Sequence, residues 1–150
     1  MNGIPRALTI LMVDDDEEDC LVVHDAFAHI DLAHDLRTVG NGEELLDYLS
    51  RTGRYENRLL SPAPDLILLD LNMPCKDGRE ALGELKADRR WRQIPVVVLT
   101  TSTSEDDVSF AYRAGASSYI AKPSTFQAWI DLVRRLHEYW FELARLPSPG

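Results

Sequence analysis

The chain has 150 residues, a formal net charge of -9 at pH 7 and a hydrophobic fraction of 45%. This length suits one domain with a full hydrophobic core, and the acidic balance argues against direct nucleic-acid binding, which needs a basic face. There is no apolar run long enough to cross a bilayer and no signal peptide, and the two cysteines lack a metal spacing, so we expect a reduced, cytoplasmic protein.

Five short apolar runs alternate with segments of helical periodicity along the chain. Strands are predicted at 7–13, 36–39, 65–69, 95–99 and 118–121. Helices are predicted at 17–29, 42–49, 78–87, 104–114 and 124–146. Asp16 is the expected N-cap of the first helix, and Ser104 and Asp107 form a capping box at the start of the fourth. Segment 51–64 is rich in turn-forming residues and is predicted to be a surface loop.

The fivefold alternation of strand and helix indicates an α/β fold with a parallel sheet covered on both faces. Right-handed crossovers make this a doubly wound (βα)5 arrangement. We expect residues 1–150 to form one domain, with its core at about 8–136, a final helix extending to about 146, and no effector domain. In such folds the functional groups gather at the carboxyl ends of the strands.

Polar side chains follow four of the five predicted strands. An acidic triplet at 14–16 follows the first strand, Asp70 the third, Thr100 the fourth and Lys122 the fifth. Clustered carboxylates repel one another unless a cation lies between them, and their oxygens suit Mg²⁺. A carboxylate beside Mg²⁺ can attack phosphorus and form an aspartyl phosphate, whose charge a lysine and a hydroxyl would help to neutralise.

The motifs VDDD, LLDLNMPCKDG, VLTTS and YIAKP, in this order, resemble those of the receiver domains of bacterial two-component response regulators. The resemblance covers residues 8–136. It implies a flavodoxin-like sheet of order 2-1-3-4-5. It also implies a phosphoacceptor for a histidine kinase, one that promotes its own phosphorylation and slow dephosphorylation but is otherwise no enzyme.

The resemblance implies a role for each residue at this edge of the sheet. Asp70 is the expected phosphoacceptor, and Thr100 and Lys122 are expected to bind the phosphoryl group. The expected Mg²⁺ ligands are the carboxylates of Asp14, Asp15 and Asp70 and the backbone carbonyl of Asn72.

The resemblance leads to three further expectations about neighbouring residues. Tyr119 matches an aromatic switch whose rotamer follows the position of Thr100. The peptide bond before Pro123 is expected to be cis, which a bond to proline tolerates at modest cost. Asn72 and Ser102 lie where they could position or exclude the water that hydrolyses the aspartyl phosphate.

The predicted final helix carries more apolar surface than the sheet needs. Phe126, Ile130 and Val133 form one stripe, which should cover the sheet. A second, adjacent stripe consists of Trp129, Leu132, Leu136, Tyr139, Trp140 and Leu143. We expect this stripe to form a homodimer interface together with the fourth helix and the fifth strand. The alternative is that this stripe folds back over the loop at 51–64.

The segment before DLILLDLNMP, the run RRWRQIPVVVLTTS and the tryptophan-bearing final helix resemble the small regulators paired with bacterial phytochromes. This implies a light-regulated histidine kinase as donor and a downstream protein or phosphotransfer protein as target. Two alternatives remain. One is a pseudo-receiver that binds proteins without ever taking phosphate, and the complete set of site residues argues against it. The other is a hydrolase on a similar fold, which would need a second acid near Asp70.

Overall fold

The computed structural model describes residues 8–30 and 34–147. The strands are β1 (Thr9–Val13), β2 (Asp35–Val39), β3 (Leu66–Leu69), β4 (Val96–Thr100) and β5 (Ser118–Ala121). The helices are α1 (Glu17–His29), α2 (Gly42–Ser50), α3 (Gly78–Ala87), α4 (Glu105–Ala114) and α5 (Phe126–Leu136). A short 3-10 helix (Gly53–Tyr55) lies in the predicted loop, and a π-helical segment (His137–Leu143) continues α5. Among the described residues, no helix has the length and apolarity to span a membrane.

All five strands pair in parallel in the order β2-β1-β3-β4-β5, which confirms the predicted fold. The element bounds agree with the predictions to within two residues, apart from the last helix; Ala7, the predicted start of the first strand, lies outside the described residues. Successive side chains of a strand point to opposite faces, so β1, β3 and β4 contribute to a hydrophobic cluster on each side of the sheet. Their near-complete burial explains why these strands read as continuous apolar runs.

Side-chain caps begin the two helices for which the sequence predicts them. Asp16 accepts hydrogen bonds from the backbone N–H groups of Glu18, at 2.9 Å, and Asp19, at 3.2 Å, which confirms it as the N-cap of α1. Ser104 Oγ accepts from the Asp107 N–H at 3.4 Å. The Asp107 carboxylate binds Ser102 and an arginine from α3, so only half of the predicted capping box forms.

The final helix differs from the prediction in hydrogen bonding and in what it buries. The α-helical pattern ends at Leu136, and the chain becomes extended at Ala144 after the π-helical segment. Trp129 and Leu136, predicted to be exposed, are 5% and 6% exposed. Both lie in the cluster that α5 shares with α1. The prediction was wrong for these two residues because α5 packs against α1 as well as against the sheet. Both apolar stripes of the helix are therefore buried within a single copy of the chain.

The rest of the predicted stripe divides between core and surface. Leu132 and Trp140 are half-buried against the same cluster, whereas Tyr139 is 52% and Leu143 75% exposed. Phe126, expected to cover the sheet, is 46% exposed because it lies at the first residue of α5, with its ring edge-on to His29. The apolar stripe therefore packs mainly against α1, and not over the loop at 51–64.

The π-helical segment is attached to the edge of the sheet by two histidines. Nε2 of His34, just before β2, lies 3.0 Å from Nδ1 of His137. His34 Nδ1 accepts from the N–H of Leu8 at 3.2 Å, and Phe141 packs on the His34 ring at a centroid distance of 4.6 Å. Burial, followed by the nearby His137, lowers the pKa of His34, which favours the neutral ring that accepts at Nδ1.

We expect Gly78→Ala to destabilise the chain by about 2 kcal/mol or more. Gly78 is buried at the start of α3, and a Cβ there would overlap the backbone carbonyl of Asp70. Gly83→Ala, in the same helix, is the matched control because a Cβ at that position meets nothing within 4 Å. Replacement of an exposed helical glycine by alanine should stabilise the folded chain by about 0.5–1 kcal/mol. Urea unfolding measures both effects, and an unchanged midpoint for Gly78→Ala would contradict the expectation.

Candidate functional site

Backbone hydrogen bonds hold the polar residues in place at the carboxyl edge of the sheet. The N–H groups of Asp14, Asp70 and Lys122 each donate to a carbonyl at the end of a neighbouring strand, at 3.0, 3.0 and 2.8 Å. These bonds continue the sheet pairing one residue beyond the strands. The side chains predicted to meet therefore start from fixed backbone positions on one edge.

Three carboxylates lie together at this edge. One oxygen each from Asp14, Asp15 and Asp70 can be chosen so that all lie within 4.8 Å of one another. The side chains of Asp14 and Asp70 are 1% and 7% exposed, whereas Asp15 faces solvent. Such a set of oxygens, two buried and one open to water, fits a hard divalent cation that keeps part of its hydration shell.

Lys122 provides the positive charge among these carboxylates. Its Nζ lies 2.7 Å from Asp14 Oδ2, 2.7 Å from Asp19 Oδ2 and 3.5 Å from Asp70 Oδ2, with the lysine side chain only 6% exposed. Burial acts to lower the pKa of Lys122, but the bonds to Asp14 and Asp19 outweigh it and raise the pKa above its ordinary value. The ammonium therefore stays protonated at neutral pH.

Asp14 is the carboxylate most affected by burial. Desolvation raises its pKa to about 6, although the Lys122 ammonium and a hydrogen bond from the Asp16 N–H at 2.9 Å both act in the opposite direction. Asp14 Oδ2 pairs with Lys122 Nζ at 2.7 Å and has no further hydrogen-bond partner among the described residues. A buried carboxylate oxygen without further hydrogen bonds is suited to binding a cation.

Thr100 places a hydroxyl at the end of β4. The residue is fully buried, and its Oγ1 has no hydrogen-bond partner among the described residues. A buried polar group without a partner costs about 1–3 kcal/mol. This position therefore suits a ligand that brings an acceptor oxygen to the hydroxyl.

Tyr119 lies half-buried in β5, beside the loop that follows Thr100. Its hydroxyl donates to the carbonyl of Ser102 at 2.9 Å, and its N–H donates to the Tyr112 hydroxyl at 3.1 Å. The Tyr119 hydroxyl thus contacts the β4–α4 loop, and the link between Tyr119 and Thr100 stays a prediction.

The expected cis peptide bond is absent: the bond between Lys122 and Pro123 is trans. This expectation came from the resemblance and not from the residues themselves. A trans bond to proline is favoured by about 0.5–1 kcal/mol where nothing in the surroundings selects the cis form.

Sequence reasoning missed three charged residues around the site. Asp19 lies in the first turn of α1, where an acid is expected for the helix dipole alone, yet it contacts Lys122. Arg79 and Asp107 form an ion pair at 2.8 Å between α3 and α4. No local sequence pattern predicts these ion pairs, because the partners are 103 and 28 residues apart in the chain.

In the metal-free protein, we expect Asp14→Asn to be more stabilising at pH 7 than at pH 4. The pKa of Asp14 is about 6 in the folded chain against an ordinary 3.8. The folded chain thus keeps a proton that the unfolded chain releases as the pH rises between these values. Between pH 4 and pH 7 the free energy of unfolding therefore falls by about 2 kcal/mol, and asparagine removes that loss.

Urea unfolding at the two pH values, in the presence of a chelator, measures this difference. Asp106→Asn, at an exposed position on α4, is the control and should change the free energy of unfolding by the same amount at both pH values. An effect of Asp14→Asn that does not change with pH would contradict the expectation.

Comparison with known proteins agrees with this geometry. The family model for the response regulator receiver domain matches residues 10–134. Response regulator Rcp1 of Synechocystis is 39% identical over 139 residues, which cover 93% of this chain and 92% of Rcp1. The match to Rcp1 thus extends over nearly the whole chain.

Solved structures show the same fold. The phosphorylated cyanobacterial phytochrome response regulator RcpA has a TM-score of 0.88 at 40% identity, covering 95% of this chain and 100% of RcpA. The Mn²⁺-bound form of Rcp1 has a TM-score of 0.84 at 38% identity, covering 94% of this chain and 99% of that one. The chain therefore belongs to the response regulator receiver domain family and is a response regulator similar to those of phytochrome light signalling.

Proposed function

We propose that the chain is a phosphorylation switch in which Asp70 accepts a phosphoryl group from a histidine kinase with the help of Mg²⁺. One arrangement supports this most directly. Lys122 Nζ lies 3.5 Å from Asp70 Oδ2, and the Thr100 hydroxyl, which has no partner within residues 8–30 and 34–147, lies at the end of the strand next to β3. A carboxylate nucleophile, a fixed ammonium and a hydroxyl donor are the groups that phosphoryl transfer to an aspartate needs.

In the proposed reaction, an Asp70 carboxylate oxygen forms a bond to the phosphorus of the donor phosphohistidine. The phosphorus–nitrogen bond breaks, and its electron pair remains on the imidazole. Lys122 then pairs with the transferred group, and the Thr100 hydroxyl donates to one of its oxygens. Movement of Thr100 towards the phosphoryl group changes the space beside Tyr119, which makes these two residues the proposed switch.

Mg²⁺ is the proposed metal, held by the carboxylates of Asp14, Asp15 and Asp70 and the backbone carbonyl of Asn72. Bound there, it would neutralise carboxylate charge and polarise a phosphoryl oxygen. The similarity to Mn²⁺-bound Rcp1 supports a divalent cation, and carboxylate oxygens suit both ions. The trio of oxygens within 4.8 Å supports the same assignment for this chain.

We propose a light-regulated phytochrome kinase as the phosphoryl donor, since RcpA, at 40% identity, is a phytochrome response regulator. The chain covers 92% of the length of Rcp1, which supports action as a single receiver domain. Its output would then be a contact with a downstream protein, or transfer of the phosphoryl group to one, in the cytoplasm. Beyond slow hydrolysis of its own phosphoryl group, we propose no turnover of other substrates.

Acetyl phosphate with Mg²⁺, followed by intact-mass measurement, tests the phosphoacceptor. We expect the wild type to gain the mass of one phosphoryl group, and we expect no gain for Asp70→Asn or when a chelator removes the metal. Asp106→Asn, an exposed acid outside the site, should gain the same mass as wild type. Failure of the wild type to gain mass would favour the pseudo-receiver.

A second donor in the same experiment tests the light-signalling role. A phosphorylated phytochrome histidine kinase should transfer its label to wild type and not to Asp70→Asn. Labelling by an unrelated kinase but not by any phytochrome kinase would reject the proposed donor while leaving the phosphoacceptor in place.

We also propose a homodimer, now through the part of the predicted interface that remains exposed. Tyr139 and Leu143 of the π-helical segment and Tyr112 of α4 offer exposed apolar surface. Light scattering at micromolar concentration should give twice the 17.0 kDa chain mass. Leu143→Glu should lower this mass, and Leu59→Glu, at an 87% exposed position in the loop at 51–64, should not. A monomer in both the phosphorylated and unphosphorylated states would exclude the dimer.

A further inference from the structure

Arg79, in the first turn of α3, connects the two loops that border the site. Its Nε and Nη2 donate to Asp107 Oδ1 in α4, at 3.1 and 2.8 Å. On the other side, its Nη1 lies 3.4 Å from Asn72 Oδ1 and 3.5 Å from the Leu71 carbonyl oxygen. The guanidinium therefore links the loop after β3 to the start of α4.

The contacts continue from Asp107 towards β5. The second oxygen of Asp107 accepts from the Ser102 hydroxyl at 2.6 Å, and the Ser102 carbonyl accepts from the Tyr119 hydroxyl at 2.9 Å. One chain of polar contacts thus runs from Asn72 to Tyr119 through a single ion pair. Both ends of this chain are residues that the sequence places beside the phosphoacceptor or in the switch.

The ion pair has better geometry than an ordinary surface pair. The side chains of Arg79 and Asp107 are 31% and 19% exposed, and two guanidinium N–H groups converge on one carboxylate oxygen. Hydrogen bonds from Ser102 and then Arg79 lower the pKa of Asp107, and the bond to Asp107 raises that of Arg79. Both partners therefore stay charged around neutral pH, and charge-assisted bonds of this kind hold their geometry well.

We infer that Arg79 is a positioning residue that holds the side chains of Asn72 and Ser102 and thereby slows the loss of the phosphoryl group from Asp70. This inference rests on the proposed phosphoacceptor role. In hydrolysis, a water oxygen bonds to phosphorus, the bond from phosphorus to the Asp70 oxygen breaks, and the electron pair returns to the carboxylate. The water loses one proton to solvent, and inorganic phosphate leaves.

Arg79 acts on this step by occupying an acceptor. Asn72 Oδ1 faces Arg79 Nη1 at 3.4 Å, so one of its two acceptor positions is turned towards the guanidinium and does not serve to orient the attacking water. Asp107 keeps the guanidinium in that position, and it fixes Ser102 at the same time. Removal of the guanidinium frees Asn72 Oδ1, and one additional hydrogen bond to the water should accelerate hydrolysis about fivefold.

The test is the decay rate of protein phosphorylated by acetyl phosphate and then freed of donor. Arg79→Gln should lose its phosphoryl group about fivefold faster than wild type. Arg134→Gln is the matched control, because Arg134 pairs with Asp131 at 3.4 Å on the exposed face of α5; this variant should lose its phosphoryl group at the wild-type rate. Phosphorylation that proceeds normally with an unchanged decay in Arg79→Gln would overturn the inference, whereas no phosphorylation of wild type would overturn the proposed function instead.

Two further variants separate positioning from a merely structural effect. Arg79→Lys keeps a charge opposite Asp107 but replaces the guanidinium fork by one nitrogen, so it should also decay fast; wild-type decay in this variant would show that the ion pair alone matters and would overturn the inference. In an Asn72→Ala background, Arg79→Gln should have no additional effect on the decay rate. A fivefold effect that persists without the Asn72 amide would equally overturn it.

Discussion

The ammonium of Lys122 is the charge on which the rest of this site depends. It comes from β5, at the edge of the sheet, and reaches carboxylates that follow β1 and β3 and one in the first turn of α1. Without a cation between them, the nearly buried carboxylates of Asp14 and Asp70 would both lose their hydration and repel each other. β5 and β1 lie three positions apart in the sheet. The ion pair between Lys122 and Asp14 therefore also fixes how the loops that follow these two strands approach one another.

A single ammonium leaves the site with an excess of negative charge. Asp14, Asp15, Asp19 and Asp70 face one lysine, and burial already raises the pKa of Asp14 to about 6. A divalent cation at this edge would relieve that excess, and the cation and the lysine would then share the negative charge of the proposed phosphoryl group. This imbalance accounts for the affinity that we expect the site to have for a metal.

A second ion pair, between Arg79 and Asp107, lies at the border of this charged group and joins the loops around it. The two pairs serve different purposes. Lys122 compensates buried charge, whereas Arg79 makes directional bonds to Asp107 and faces Asn72 in the neighbouring loop. Away from the site, α5 packs one apolar stripe on the sheet and another on α1, and this double burial leaves Tyr139 and Leu143 as the exposed remainder.

The sequence by itself determined the order and type of the elements and the meeting of Asp14, Asp70, Thr100 and Lys122 at one edge. Periodicity is local, and parallel strands must end on the same side. Only the tertiary structure decided that Asp19 binds Lys122, that Arg79 binds Asp107, and that Trp129 and Leu136 lie inside the core. These outcomes depend on how whole helices pack against each other, and an exposed acid or an apolar helix stripe looks the same in sequence whichever partner it meets.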